Sequence, residues 1–98
     1  MVHVLVRHKV NDYGRWKTVF DAHLTTRKHA GETGCHLFHN LDDPNEVVLL
    51  LDWQTIEEAR KFMSSDELRQ RMKDAGVQGA PEIHYLEDVR AVHRSAAD

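Results

Sequence analysis

The sequence predicts an α+β domain of the ferredoxin-like kind, β-α-β-β-α-β, with a four-stranded antiparallel sheet and two helices on one of its faces. Three observations carry that expectation. Residues 2–10, VHVLVRHKV, alternate in type along the chain. Residues 13–31 and 55–76 instead repeat apolar side chains at helical spacing. The remaining apolar runs, CHLFHN, EVVLLLDW and EIHYLEDV, have strand length and are bounded by turn residues.

In the first strand Val2, Val4, Val6, His8 and Val10 share one face, and His3, Leu5, Arg7 and Lys9 the other. Asn11 or Asp12 is placed to cap the helix that follows, and Gly31 to end it, with Lys28 and His29 in its last turn. Strand two is expected over 35–40 and strand three over 46–53. Between them Pro44 sets a turn in DDPN. Thr55 with Glu58 forms a capping box for the second helix, and Ser64 with Glu67 repeats the signal, so a break is expected near Ser64 and Ser65. Gly76 stops this helix, VQGAP reads as loop, and the last strand covers 82–89. The whole chain, 1–98, reads as one domain, with a frayed tail over 93–98.

Strand three is apolar on both faces: Val47, Leu49 and Leu51 point one way, Val48 and Leu50 the other. Two helices cover one side only, and an open apolar sheet face is costly in water. A second copy of the sheet is the simplest cover, so a homodimer through this face is expected. The net charge of −3, with no basic run, leaves no footprint for nucleic acid or an anionic membrane. No segment approaches a membrane span or a signal peptide. The single cysteine, Cys35, fits a reducing compartment, hence the cytoplasm, and reads as a small buried hydrophobe.

The stretches VRHKVNDYGRWKTVFDAH, LDDPNEVVLLLDW and GAPEIHYLEDV together resemble small bacterial proteins of the dimeric α/β-barrel superfamily, the antibiotic-biosynthesis-monooxygenase-like and cyclase-like group. The resemblance runs from Val2 to Val89. It implies a dimer and a ligand cleft between sheet and helices. Superfamily members include cofactor-free monooxygenases of aromatic polyketides, haem-degrading enzymes, isomerases and cyclases, so the site itself has to decide the activity. Trp53 matches a tryptophan common at the end of strand three. The histidines that such proteins often carry on helix two are absent, with Phe62 and Glu67 in their places. The resemblance therefore implies neither haem nor another cofactor.

Eight histidines invite a metal reading, but their spacing opposes it. His36 and His39 fall on opposite strand faces, as do His3 and His8, and His23 and His29 diverge around a helix. No nucleophile elbow or phosphate loop is present. On helix one, Tyr13, Trp16, Phe20, His23, Leu24 and Arg27 fall within a stripe about 100° wide. One reading makes His23 a packed border residue. The other makes it a general base, with Arg27 as oxyanion donor and Tyr13, Trp16 and Phe20 holding a flat substrate. His8 and Trp53 join this set as substrate-binding candidates from the sheet. Three functions fit: a cofactor-free monooxygenase or cyclase acting on a small aromatic or polyketide-like molecule, a non-catalytic small-ligand binder, or a dimer whose cleft is filled by its own side chains.

Overall fold

The structure, a computed structural model, describes residues 2–90; the expected tail at 93–98 lies outside them. The elements are β1 (Val2–Val10), α1 (Tyr13–Ala22), α2 (Leu24–Ala30), β2 (Glu32–His39), β3 (Glu46–Trp53), α3 (Ile56–Met63), α4 (Asp66–Asp74) and β4 (Val77–Glu87). The sheet order is β2-β3-β1-β4, and every neighbouring pair is antiparallel. Each expected helix is thus a broken pair, and the α+β ferredoxin-like plan holds.

Local chemistry explains the boundaries. Asp12 caps α1 by accepting from Arg15 N–H at 2.9 Å. Thr55 caps α3 as expected, its Oγ1 accepting from Glu58 N–H at 3.1 Å, but the reciprocal half of the box differs: Glu58 Oε1 accepts from the Thr55 hydroxyl, also at 3.1 Å, rather than from its backbone N–H. The second cap is Ser65, one residue beyond the expected Ser64. Its Oγ accepts from Leu68 N–H at 3.2 Å, while Ser64 closes α3. Glu46 N–H bonds to the Asp43 carbonyl across the Pro44 turn at 3.0 Å.

The break in helix one has no glycine or proline behind it. A continuous helix would give the Phe20 carbonyl to Leu24. Here that carbonyl accepts from His23 N–H at 3.2 Å and from Arg27 Nη1 at 2.6 Å. A side chain inserted into the helical ladder is a recognised cause of a kink. Leu24, expected on the inner stripe, is consequently 39% exposed. Gly31, with φ 120°, then turns the chain into β2.

Two strand expectations need correcting. β2 starts at Glu32 rather than Cys35, and its register slips between Glu32 and Gly34. The expected loop 77–81 is strand: Val77 pairs with Val10 and Gln78 with Lys9. The register then jumps, so that Gly79, Ala80 and Pro81 stand opposite His8 alone, before Glu82 pairs with Arg7. Such a bulge accommodates both the glycine and the proline that read as loop. Cys35 is exposed on the edge strand rather than buried.

Core and open face follow the alternation. Val4, Val6, Val10, Val47, Leu49, Leu51 and Trp53 are buried beneath the helices with Trp16, Ala59 and Phe62. The opposite face carries Leu5, Val48 and Leu50, half-buried, with Phe38 47% and Leu86 43% exposed. His36 stacks on Phe38 there, with ring centroids 4.5 Å apart. Among the described residues no helix is long and apolar enough to cross a membrane.

Candidate functional site

A cavity of about 60 Å³ lies between the sheet and the helices. Val6, His8, Leu49 and Leu51 form its floor from β1 and β3. Trp16, Val19 and Phe20 of α1, with His23 and Arg27, make one wall. Phe62 and Met63 of α3 and Leu68, Arg71 and Met72 of α4 make the other. An apolar cavity of about 150 Å³ is enough to hold benzene. The cleft as it stands is therefore smaller than any aromatic ligand, and occupation requires its walls to part.

Of the residues singled out from sequence, His8, Trp16, Phe20, His23 and Arg27 meet at this cavity. Tyr13 and Trp53 do not line it. Tyr13 is half-buried at the outer end of an aromatic ladder, 6.0 Å from Trp16 and 5.1 Å from His39 between centroids. Trp53 is buried behind the wall, 5.3 Å from Phe62, and its Nε1 has no hydrogen-bond partner among the described residues.

The ladder continues inward at helical spacing. Trp16 and Phe20 stack with centroids 4.8 Å apart and planes 13° from parallel, and the Arg27 guanidinium covers Phe20 at 3.8 Å. Arg27 is 4% exposed, and two of its five N–H groups are engaged in structure. Its Nε donates to Glu32 Oε1 at 2.9 Å, and its Nη1 holds the Phe20 carbonyl. Burial raises the Glu32 carboxyl above its usual range, and the Arg27 charge opposes that rise. This geometry gives Arg27 the task of fixing the bend at His23, and it leaves Nη2 and one Nη1 hydrogen of the expected oxyanion donor without a partner among the described residues.

His23 sits at the bend, its ring 5.8 Å from Phe62. Its Nε2 lies 3.3 Å from Glu67 Oε1 at the start of α4. With Nε2–H donating to that carboxylate, Nδ1 carries the lone pair, as in any imidazole oriented by an acid. His23 and Glu67 also line an outer groove of about 460 Å³, shared with Val19 and Arg71. His23 therefore stands where cavity and groove meet.

His8 differs in kind. It is 6% exposed, and neither ring nitrogen has a hydrogen-bond partner among the described residues. Trp16 lies against it at 5.6 Å. Burial pulls the imidazole down to about 4, so the ring is neutral at physiological pH. Leaving a buried polar group unpaired costs about 1–3 kcal/mol. Such a group calls for a structural or functional reason.

Sequence reasoning missed Glu67 as a partner of His23, because a separation of 44 residues leaves no local signal. It also left out Met63, Leu68 and Met72 as cavity walls, although their helical stripe announced an inward face. Among the described residues no group of three or more His, Cys, Asp or Glu is placed to hold a metal ion.

No protein-family model matches the sequence, and no curated protein matches it. Solved structures do. A Bordetella bronchiseptica protein provisionally named an antibiotic biosynthesis monooxygenase superposes with a TM-score of 0.77 at 17% identity, covering 91% of this chain and 97% of its own. SnoaB of Streptomyces nogalater, a cofactor-independent oxygenase, gives 0.76 at 14% identity, covering 95% and 97%. Rv0793 of Mycobacterium tuberculosis gives 0.68 at 18%, covering 94% and 98%. At these identities the likeness speaks of architecture, and the chain has the α+β ferredoxin-like fold of the antibiotic-biosynthesis-monooxygenase-like proteins.

Proposed function

We propose that this chain is a cofactor-free monooxygenase or cyclase acting on a small aromatic or polyketide-like molecule, held between sheet and helices. The observation that carries the reading is one cavity presenting two imidazoles, His8 and His23, within a lining that is apolar and aromatic apart from Arg27 and Arg71. The fold shared with a cofactor-independent oxygenase supports it. His23, oriented by Glu67, takes a proton from an activated C–H or O–H of the substrate. The resulting carbanion or phenolate is electron-rich enough to react with dioxygen directly. For a methylene the products balance as ketone plus water: the O–O bond breaks, one oxygen stays on carbon, and the two hydrogens leave with the other. In cyclisation the same carbanion attacks a carbonyl within the substrate, and no oxygen is consumed. Arg27 acts as a positioning residue for His23 through the Phe20 carbonyl they share.

The walls that yield to substrate are Met63, Met72 and α4, a helix with no fully buried residue. The working unit is a homodimer through Leu5, Phe38, Val48, Leu50 and Leu86, whose apolar surface needs a second sheet. A cytoplasmic location agrees with the unpaired Cys35. The deciding experiment is oxygen uptake by chelator-treated protein with a panel of hydroxylated polycyclic ketones, products read by mass spectrometry. Turnover lost in His23→Gln with the fold intact supports the reading. A panel that binds without turnover or rearrangement would leave a non-catalytic ligand carrier, the second function the cavity allows.

A further inference from the structure

His8 is the buried polar group that the chemistry above does not use. It lies on β1 where β4 bulges away, with Gly79, Ala80 and Pro81 opposite it. Val6 and Val10, its neighbours on the same face, are apolar and buried, and His8 is the polar member of that set, lining the cavity beside Val6. Both of its nitrogens lack partners among the described residues, and it is more than nine-tenths buried. A leucine at this place would pack without an unmet hydrogen bond.

The cations around the cavity already face carboxylates. Arg27 is paired with Glu32, and Arg71 pairs with Asp74 at 2.9 Å. An anionic ligand would lose its hydration and would have to compete with Glu32 and Asp74 for the guanidinium charges. A purely apolar ligand would leave both ring nitrogens unmet. A neutral ligand carrying one hydroxyl meets the acceptor half of that need, because its O–H donates to the bare nitrogen while its ring rests against Trp16 and Phe20.

We propose that His8 is the specificity-determining residue of the cavity, a neutral acceptor that selects flat molecules bearing a phenolic or enolic hydroxyl over the same ring without it or with a carboxylate. The proposal deepens the functional reading above and places recognition on β1, apart from the proton-abstracting residue on the helices. It concerns binding alone, so it is testable without turnover.

The probes are 2-naphthol, naphthalene and 2-naphthoate, titrated into the protein with binding read by calorimetry and by quenching of tryptophan fluorescence. The expected result is naphthol bound at least about tenfold more tightly than either comparator. In His8→Leu the preference of naphthol over naphthalene should vanish while naphthalene binding is retained or improved. Should His8→Leu fail to fold, the wild-type protein labelled with ¹⁵N-histidine decides the matter. A His8 ring-nitrogen resonance should move with naphthol and stay in place with naphthalene. A naphthol preference unchanged in His8→Leu, or a His8 resonance indifferent to naphthol, overturns the proposal. Hydroxyl selection that depends on His8 without oxygen uptake on any substrate would sink the oxygenase reading and leave this one standing. Oxygen uptake with selectivity indifferent to His8 would do the reverse. Failure of all three probes to bind at millimolar concentration counts against the proposal itself.

Discussion

Arg27 reaches back seven residues to Phe20, covering its ring at 3.8 Å and holding its carbonyl at 2.6 Å. That contact bends helix one at His23 and buries the Arg27–Glu32 pair behind it. Shortening Arg27 to alanine frees the carbonyl and strands a buried carboxylate. The expected loss is about 3–5 kcal/mol, measured by urea unfolding. Replacing both partners, with Arg27→Met and Glu32→Leu together, should recover much of that loss. A single Arg27→Ala variant as stable as the parent would show that the pair contributes nothing.

The orphaned imidazole of His8 ties stability to pH with a definite sign. Its ring is neutral in the folded protein down to about 4, against an ordinary value of 6.5. Between those values the unfolded chain takes up a proton that the folded one refuses. This group's contribution is therefore complete above 6.5 and lost as the pH falls towards 4, by about 3 kcal/mol at most. Chemical denaturation at a series of pH values should show the decline, and His8→Leu should flatten that part of it.

His3 titrates in the opposite sense. Burial lowers its value, but the hydrogen bonds to Asp52 and Asp88 prevail and raise it above 6.5. Its contribution is complete below 6.5 and lost as the pH rises through the folded value. His3→Gln should lower stability below 6.5, where the contribution is present, and remove the decline on the alkaline side. The same titration series reads both residues separately.

For His23 the expectation is a catalytic effect with little structural cost. His23→Gln should lower kcat by about 10²–10⁴ with the melting temperature nearly unchanged. Glu67→Gln should give a smaller loss, because the base survives and only its orientation is weakened. Equal losses of stability and activity in both variants would make the contact a packing feature.

On the open face, Leu50→Glu places a charge where two apolar sheets are to meet. Sedimentation should give twice the mass of the chain for the parent and a single chain for the variant. A monomeric parent at micromolar concentration would refute the dimer.

The element order was legible because alternation and helical spacing are local properties: a strand such as VHVLVRHKV has only one inward face to offer. Of its inward set, Val4, Val6, His8 and Val10 are buried as expected, and Val2 is half-buried. What the chain did not disclose depends on distant partners. The bend at His23 is made by Arg27 with Glu32, and no residue at 22–24 signals a break. β4 begins at Val77 because β1 offers it a pairing edge, whereas Gly79 and Pro81 taken alone spell a loop. The aromatic ladder and His23 were readable from one helix. The separation of Tyr13 and Trp53 from the cavity was not, since facing the same layer does not mean reaching the same space.

The two register breaks have a bearing on how copies of this chain meet. β2 and β4 are the outer strands of the sheet, and each is irregular: β2 slips between Glu32 and Gly34, and β4 bulges at Gly79–Pro81. A straight border with evenly spaced N–H groups is a template for further strands, and a series of such additions ends in fibrils. Pro81 removes one donor from that border, and each irregularity kinks the line of those that remain. Growth by strand addition is thus discouraged at both borders. A sheet so finished can leave an apolar face bare for a partner while its crowded, newly made neighbours in the cell find no rail along which to polymerise.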